Sequence, residues 1–237
     1  MNRTQAAALS SALILTMAAA TGCDGLLGGL GGGDGTLSLD TVVAGLKEAL
    51  RVGTGNAVRS TSRANGYWAN AAIRIPLPPE LEKVGSTLRG LGLGQRVDAF
   101  EKRMNQAAEQ AAAEAGPVFL DAIGQMTFDD ARRILKGRAT EATDYFRART
   151  TDPLKARYRP IVRAQMEKVG TVREYNALME RYRKIPLAPK PQFDLDEYVT
   201  ARALDGLFQV LGQEERRIRE DPAARTTELL RKVFASR

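Results

Sequence analysis

Apolar residues recur at helical spacing along most of the chain. The first stripe follows Ser38, a residue type that favours helix N-caps, and comprises Leu39, Val42, Val43, Leu46 and Leu50. It fits the i, i+3, i+4, i+7 pattern of an amphipathic helix with one buried face. Further along this segment, Gly53 and Gly55 indicate either a helix break or close helix packing.

Later stripes are bounded by recognisable start and stop signals. Pro78 and Pro79 favour a helix start, and the glycines of RGLGLG (residues 89–94) predict a C-cap and turn. An Ala-rich helix should then run to Gly116 and Pro117. Two further segments combine an apolar face with capping-box spacing, at Thr127 with Asp130 and at Thr171 with Glu174. A long helix is predicted near the C-terminus from the stripe Leu204, Leu207, Phe208 and Leu211.

Strand signals are scarce. Only AAIRIPLP (residues 71–78) is expected to be extended, because residues before a proline are pushed out of the helical region. The pattern therefore predicts an all-α fold, a single multi-helix domain forming an irregular bundle.

The N-terminus has a different pattern. Arg3 precedes an uncharged apolar run that is shorter than the ~20 residues needed to span a bilayer, and small residues follow up to Cys23. This order is typical of a secretory signal, and it resembles a bacterial lipobox, although Ala20 stands where leucine is usual. Cys23 is the only cysteine, so a disulfide within the chain is excluded and lipid attachment is expected.

A glycine-rich stretch follows the cysteine. It lacks periodicity, and such composition is typical of a flexible tether. We therefore expect residues 1–22 to be a lipoprotein signal peptide, residues 23–37 the lipidated cysteine and tether, and residues 38–237 the helical domain.

The composition is that of a globular domain with an excess of basic residues. The chain is 43% hydrophobic and 27% charged, which is ordinary for a globular domain, and its formal net charge is +7. For an exported protein, the expected anionic neighbours are lipid headgroups or an acidic envelope protein or polymer. Nucleic acid is not expected, since the export signal and the lack of a helix-turn-helix or stacking motif argue against it.

Longer motifs add a family resemblance. They are NAAIRIPLPPELEKV, FLDAIGQMTFDDARRIL, ATDYFRARTTDPL, RPIV, YNALMERY, DLDEYVTARALDGLF and EERRIREDPAARTTELLRKVF. In this order, from about Ser38 to Phe234, they resemble the bacterial family of the domain of unknown function 4197. That resemblance implies an exported helical protein, often a lipoprotein, and implies no activity, cofactor or catalytic residue.

Enzyme chemistry has little support in the residues. The chain has no histidine, the commonest general base and metal ligand, and acylation would consume its one thiol. The remaining candidates for a paired-carboxylate hydrolase are Asp129, Asp130, Glu141 and Asp144. Helix capping by Asp130 is the competing interpretation. No cofactor and no metal site are predicted; DLDE, beginning at Asp194, lacks the remaining features of a calcium loop.

Arginine supplies the remaining candidate site. Lys155, Arg159 and Arg163 are spaced i, i+4, i+8 and would share one helix face. They form either an anion-docking stripe or internal ion pairs. In the second case, Glu167, one turn beyond Arg163, is the expected partner of the stripe, and Asp144, three residues before Arg147, is the expected partner of that arginine. We therefore expect a periplasm-facing cell-envelope lipoprotein with a non-catalytic binding or scaffold role, and a carboxylate-dependent envelope hydrolase is the alternative. The sequence does not distinguish inner from outer membrane.

Overall fold

The computed structural model describes residues 38–168, 193–225, 227 and 231. Within these residues the chain forms helices and no strand, so the predicted all-α class is confirmed. The helices are α1 (Leu39–Ser62), α2 (Pro79–Gly90), α3 (Gly94–Ala112), α4 (Ala115–Gly124), α5 (Phe128–Lys136), α6 (Glu141–Lys168) and α7 (Leu195–Glu220), with a 3-10 turn at Pro222–Ala224.

Most helix boundaries follow the local signals. The Ser38 hydroxyl accepts the amide of Thr41 at 3.2 Å, and Thr127 and Asp130 form the predicted capping box at the start of α5. The Ala-rich helix ends earlier than predicted, at Ala112. Gly116 and Pro117 instead lie in the first turn of α4, where a proline removes no needed amide donor.

Helix α1 runs through Gly53 and Gly55 without interruption. A break there is therefore wrong, and close packing is the correct alternative at Gly53. A Cβ added at Gly53 would lie 3.4 Å from Cδ1 of Ile218 on α7, so the two helices approach closely at this position.

The prediction of an extended segment before α2 is only partly confirmed: residues 71–73 form a turn, in which the amides of Ile73 and Arg74 donate to the carbonyl of Asn70. The stretch from residue 74 to residue 78 lies outside helices and turns. It has no neighbouring strand, and a buried side chain supplies the missing hydrogen bonds. Asn105 of α3 accepts the amide of Ile75 at 2.8 Å and donates to the carbonyl of the same residue at 2.8 Å. Asn105 thus satisfies backbone groups that would otherwise be orphaned in the core.

The core lies around α7, which packs against α1, α3 and α6. Three buried aromatic rings hold the centre: Phe119 meets Phe146 and Phe208 edge-on, with ring centroids 5.2 and 6.2 Å apart. Tyr67 is also fully buried, and its hydroxyl donates to the carbonyl of Ala203 at 2.6 Å.

Two buried carboxylates tie distant parts of the chain together. Glu109 of α3 accepts the amides of Asn65, Tyr67 and Trp68 at 3.1 to 3.2 Å, and so fixes the turn after α1. Glu215 of α7 accepts amides at the start of α6 and pairs with Arg219 at 2.8 Å. Arg219 also donates to the carbonyl of Ile134 in α5 at 2.8 Å.

Several predicted features lie outside the described residues. These are the leader, Cys23, the glycine-rich tether and the capping box at Thr171 and Glu174. Within the described ranges, no helix combines the length and the apolar character needed to cross a membrane.

Candidate anion-binding groove and carboxylate clusters

Helix α6 presents Lys155, Arg159 and Arg163 on one face, as their spacing predicted. Their side chains are about half exposed, and they line a shallow groove of about 370 Å³. Glu197 is the acidic residue that lines the groove.

Each of these cations has an acidic partner at the start of α7. Lys155 Nζ lies 3.3 Å from Glu197 Oε1, Arg159 Nη2 lies 2.5 Å from Asp194 Oδ2, and Arg163 Nε lies 2.9 Å from Asp196 Oδ2. The hydrogen bond and charge of Asp196 raise the pKa of the Arg163 guanidinium above its ordinary value.

The local sequence explains why acids gather here. Asp194 is the N-cap of α7 and accepts the amide of Glu197 at 3.0 Å. Acidic residues are favoured in a first helical turn because the helix dipole is positive at that end. The DLDE segment is therefore a helix start whose outward carboxylates face the cations of α6.

Ion pairing was one expected interpretation of the stripe, but the expected partners are wrong. The observed partners of the stripe belong to α7 rather than being Glu167 on the same helix. Similarly, Asp144 pairs with Arg138 at 2.9 Å, while Arg147 pairs with Asp205 at 3.4 Å. A spacing rule that applies within one helix cannot predict ion pairs between helices.

Asp130, a candidate catalytic carboxylate, is engaged structurally. It accepts the amide and the hydroxyl of Thr127 at 3.2 and 2.9 Å, and it pairs with Arg133 at 2.8 Å and Arg149 at 3.8 Å. Burial acts to raise the pKa of Asp130, but the hydrogen bonds from Thr127 and the two arginines outweigh it and hold the pKa below its ordinary value. A carboxylate held ionised in this way is unsuited to act as a general acid.

The other three candidate carboxylates do not share the partners of Asp130. Glu141 and Asp144 share Arg138, at 3.6 and 2.9 Å. Asp129 is exposed and has no ion pair in the part of the chain that the structure describes. Asp130 therefore has different arginine partners from Glu141 and Asp144. The described residues contain no group of three or more acidic, histidine or cysteine side chains able to hold a metal ion.

Sequence reasoning missed two buried carboxylates, Glu109 and Glu215. Both are engaged by backbone amides, and Glu215 also by Arg219, so their roles are structural. Their backbone-amide partners lie 41 to 73 residues away along the chain, so only the i, i+4 pair of Glu215 with Arg219 has a local signal.

The fold and its surface define a class: an all-helical domain with a shallow, ion-paired basic groove on α6. The chain belongs to the family described as "Protein of unknown function (DUF4197)", which matches residues 36–235. No curated protein and no solved structure matches it.

Proposed function

We propose that this chain is a bacterial envelope lipoprotein, anchored through Cys23, whose helical domain binds an anionic partner and does not act as a catalyst. The observation that carries the binding role is the α6 groove, in which Lys155, Arg159 and Arg163 stand on one face. Its partner is an acidic lipid headgroup or an acidic envelope protein or polymer. The anchor rests on the order of charged start, apolar run, small residues and cysteine.

The ion pairs do not prevent such binding. In the Lys155–Glu197 and Arg159–Asp194 pairs, all four side chains are 44 to 49% exposed. Exposed pairs of this kind contribute roughly 0 to 1 kcal/mol each because water screens both charges. A phosphate or carboxylate ligand can therefore replace an α7 carboxylate, and the planar guanidinium of arginine can bind two ligand oxygens at once.

This exchange has a testable signature. Changing Asp194→Asn, Asp196→Asn and Glu197→Gln together would release all three cations while keeping an N-cap, since asparagine also caps helices well. We expect this variant to bind vesicles of acidic phospholipid more tightly than the unaltered domain, and added salt to weaken the binding. Reversing Lys155, Arg159 and Arg163 to glutamate should lower affinity by roughly a hundredfold.

The matched control reverses three cations elsewhere. Arg132, Lys136 and Arg216 are exposed and have no ion pair among the described residues. If their reversal weakens binding as much as reversal of the α6 cations, net charge alone explains the effect and the groove is not the site. A thermal melt beside each measurement separates lost binding from lost folding. If the unaltered domain does not bind acidic vesicles at low salt, an acidic lipid is excluded as the partner, and an acidic protein or polymer remains.

A further inference from the structure

The turn between α2 and α3 exposes two leucines. Leu91 is 71% exposed and Leu93 39% exposed, whereas Leu81 and Val97 in the flanking helices are each only 4% exposed. The two flanking helices thus bury or half-bury their large apolar side chains, whereas those of the tip face water.

The space around two glycines of the tip is open. A Cβ added at Gly90 or Gly92 would meet no atom within 4 Å. Gly92 has φ +76°, a conformation that side-chain-bearing residues rarely adopt, and it allows the chain to turn in three residues. The leucines therefore stand on a short, exposed turn.

The sequence on either side of the tip is mainly basic, with Asp98, 61% exposed, as the acidic residue nearest the tip along the chain. Between Glu82 and Asp98 the sequence contains Lys83, Arg89 and Arg96 and no acidic residue. Arg89 pairs with Asp98 and Glu101, at 3.3 and 3.1 Å. Lys83 and Arg96 are exposed and have no ion pair in the residues that the structure describes.

We propose that this tip, residues 90–94, inserts its leucines at the surface of an acidic phospholipid bilayer, with Lys83 and Arg96 against the headgroups. Apolar side chains that enter the boundary between headgroups and acyl chains, next to basic residues, are the general pattern of interfacial membrane binding. Charge complementarity selects an acidic bilayer as the occupant. The inference rests on the proposed function, because it needs a chain that works at a membrane.

A tryptophan placed at the tip tests the insertion. Leu91→Trp would be made in a Trp68→Phe background, since Trp68 is the only native tryptophan. The full-length protein would be reconstituted in vesicles of phosphatidylcholine and phosphatidylglycerol with brominated acyl chains. We expect a blue-shifted emission and strong quenching, which reports contact with the acyl region. Leu120→Trp on α4 is the matched control, because Leu120 is an exposed leucine, at 53%, away from the tip.

A second comparison tests the cations. Lys83→Glu with Arg96→Glu should reduce the quenching of the tip tryptophan at least about fivefold, since each basic residue near an acidic surface strengthens contact by about that factor. Arg132→Glu with Lys136→Glu makes the same change in net charge on α5 and should leave the quenching nearly unaltered.

The outcomes are distinct. Protein that floats with the vesicles while the tip tryptophan stays unquenched would overturn the insertion and leave the anchor intact. Equal quenching at positions 91 and 120 would also overturn it, because contact would then be unspecific. If the protein neither floats with the vesicles nor shows quenching, both the proposed anchor and the insertion are wrong. Quenching at position 91 that persists in Cys23→Ala supports the tip, even if fatty-acid labelling shows that the anchor is wrong.

Discussion

Glu215 on α7 caps the first turn of α6 by accepting the amide of Thr143 at 2.8 Å. The same carboxylate accepts the Thr143 hydroxyl at 2.8 Å and the amide of Ala142 at 3.0 Å, so a residue of one helix performs the capping role usually played by a residue next to the helix it caps. Because Glu215 also pairs with Arg219, which reaches α5, this one contact joins the ends of three helices.

Removing this carboxylate should strongly destabilise the domain. Glu215→Ala leaves Arg219, whose side chain is only 12% exposed, without its counter-charge and two amides without an acceptor, and we expect a loss of about 3 to 5 kcal/mol in the free energy of unfolding. Denaturant unfolding of the leaderless chain measures this loss. Glu220→Ala, an exposed position on the same helix, is the control and should change stability by less than about 0.5 kcal/mol. A small effect at Glu215 would mean that the cap is not needed.

Gly206 should not tolerate even one added methyl group. A Cβ there would lie 2.7 Å from Cε1 of Tyr67 and 3.1 Å from Cβ of Ile73. Since Tyr67 is fixed by its hydrogen bond to Ala203, we expect Gly206→Ala to cost about 1 to 3 kcal/mol of stability. Gly116→Ala, where the added atom meets nothing within 4 Å, should be neutral or slightly stabilising in the same unfolding assay.

Asp130 should make stability depend on pH at the acidic end. Its pKa in the folded state lies below the ordinary value, so its stabilising contribution is complete above the unfolded-state pKa of about 4 and is lost as pH falls through the folded-state pKa. The difference in unfolding free energy between the unaltered chain and Asp130→Asn should therefore be largest near pH 6 and shrink towards pH 3. Asp129→Asn, next along the chain but exposed, is the control. A difference that stays constant with pH would contradict this assignment.

The anchor can be tested in cells. We expect Cys23→Ala to abolish labelling by a fatty-acid analogue and to move the protein from the membrane fraction to the soluble fraction, because this thiol is the only one in the chain. Fractionation and labelling of the two proteins side by side provide the measurement. Continued labelling of the alanine variant would show that the lipid is attached elsewhere or that the lipobox interpretation is wrong.

A chain beginning near Thr36 should fold without the leader and tether. The family match begins at residue 36, and the described core residues begin at Val43, so the expected result is a helical circular dichroism spectrum with one cooperative thermal transition. A non-cooperative melt would mean that residues before 36 contribute to folding.

The sequence predicted those features whose partners are close along the chain. The Thr127–Asp130 capping box and the Ser38 cap each join residues three apart, and apolar periodicity located α1, α5 and α7. The cationic face of α6 was also predictable, because i+4 spacing places side chains together on any helix. All of these correct predictions concern residues that are close along the chain.

The long-range polar contacts could not be predicted in this way. The amides bound by Glu109 belong to a turn more than 40 residues earlier, and the carboxylates opposite Lys155, Arg159 and Arg163 lie 33 to 42 residues later. Whether a cation is free or paired depends on which helix packs beside it. That property of the packed domain is absent from the spacing of any single segment.

The capping of α6 by α7 also bears on the order in which the domain can close. Glu215 is synthesised 72 residues after Thr143, and Ala203 is synthesised 136 residues after Tyr67, whose hydroxyl it accepts. On the ribosome, α6 and the turn after α1 therefore emerge before these partners exist. A chain whose closing contacts come from its last long helix remains open until synthesis is nearly complete. Under the proposed export, that delay would keep the chain unfolded for its passage through an export channel.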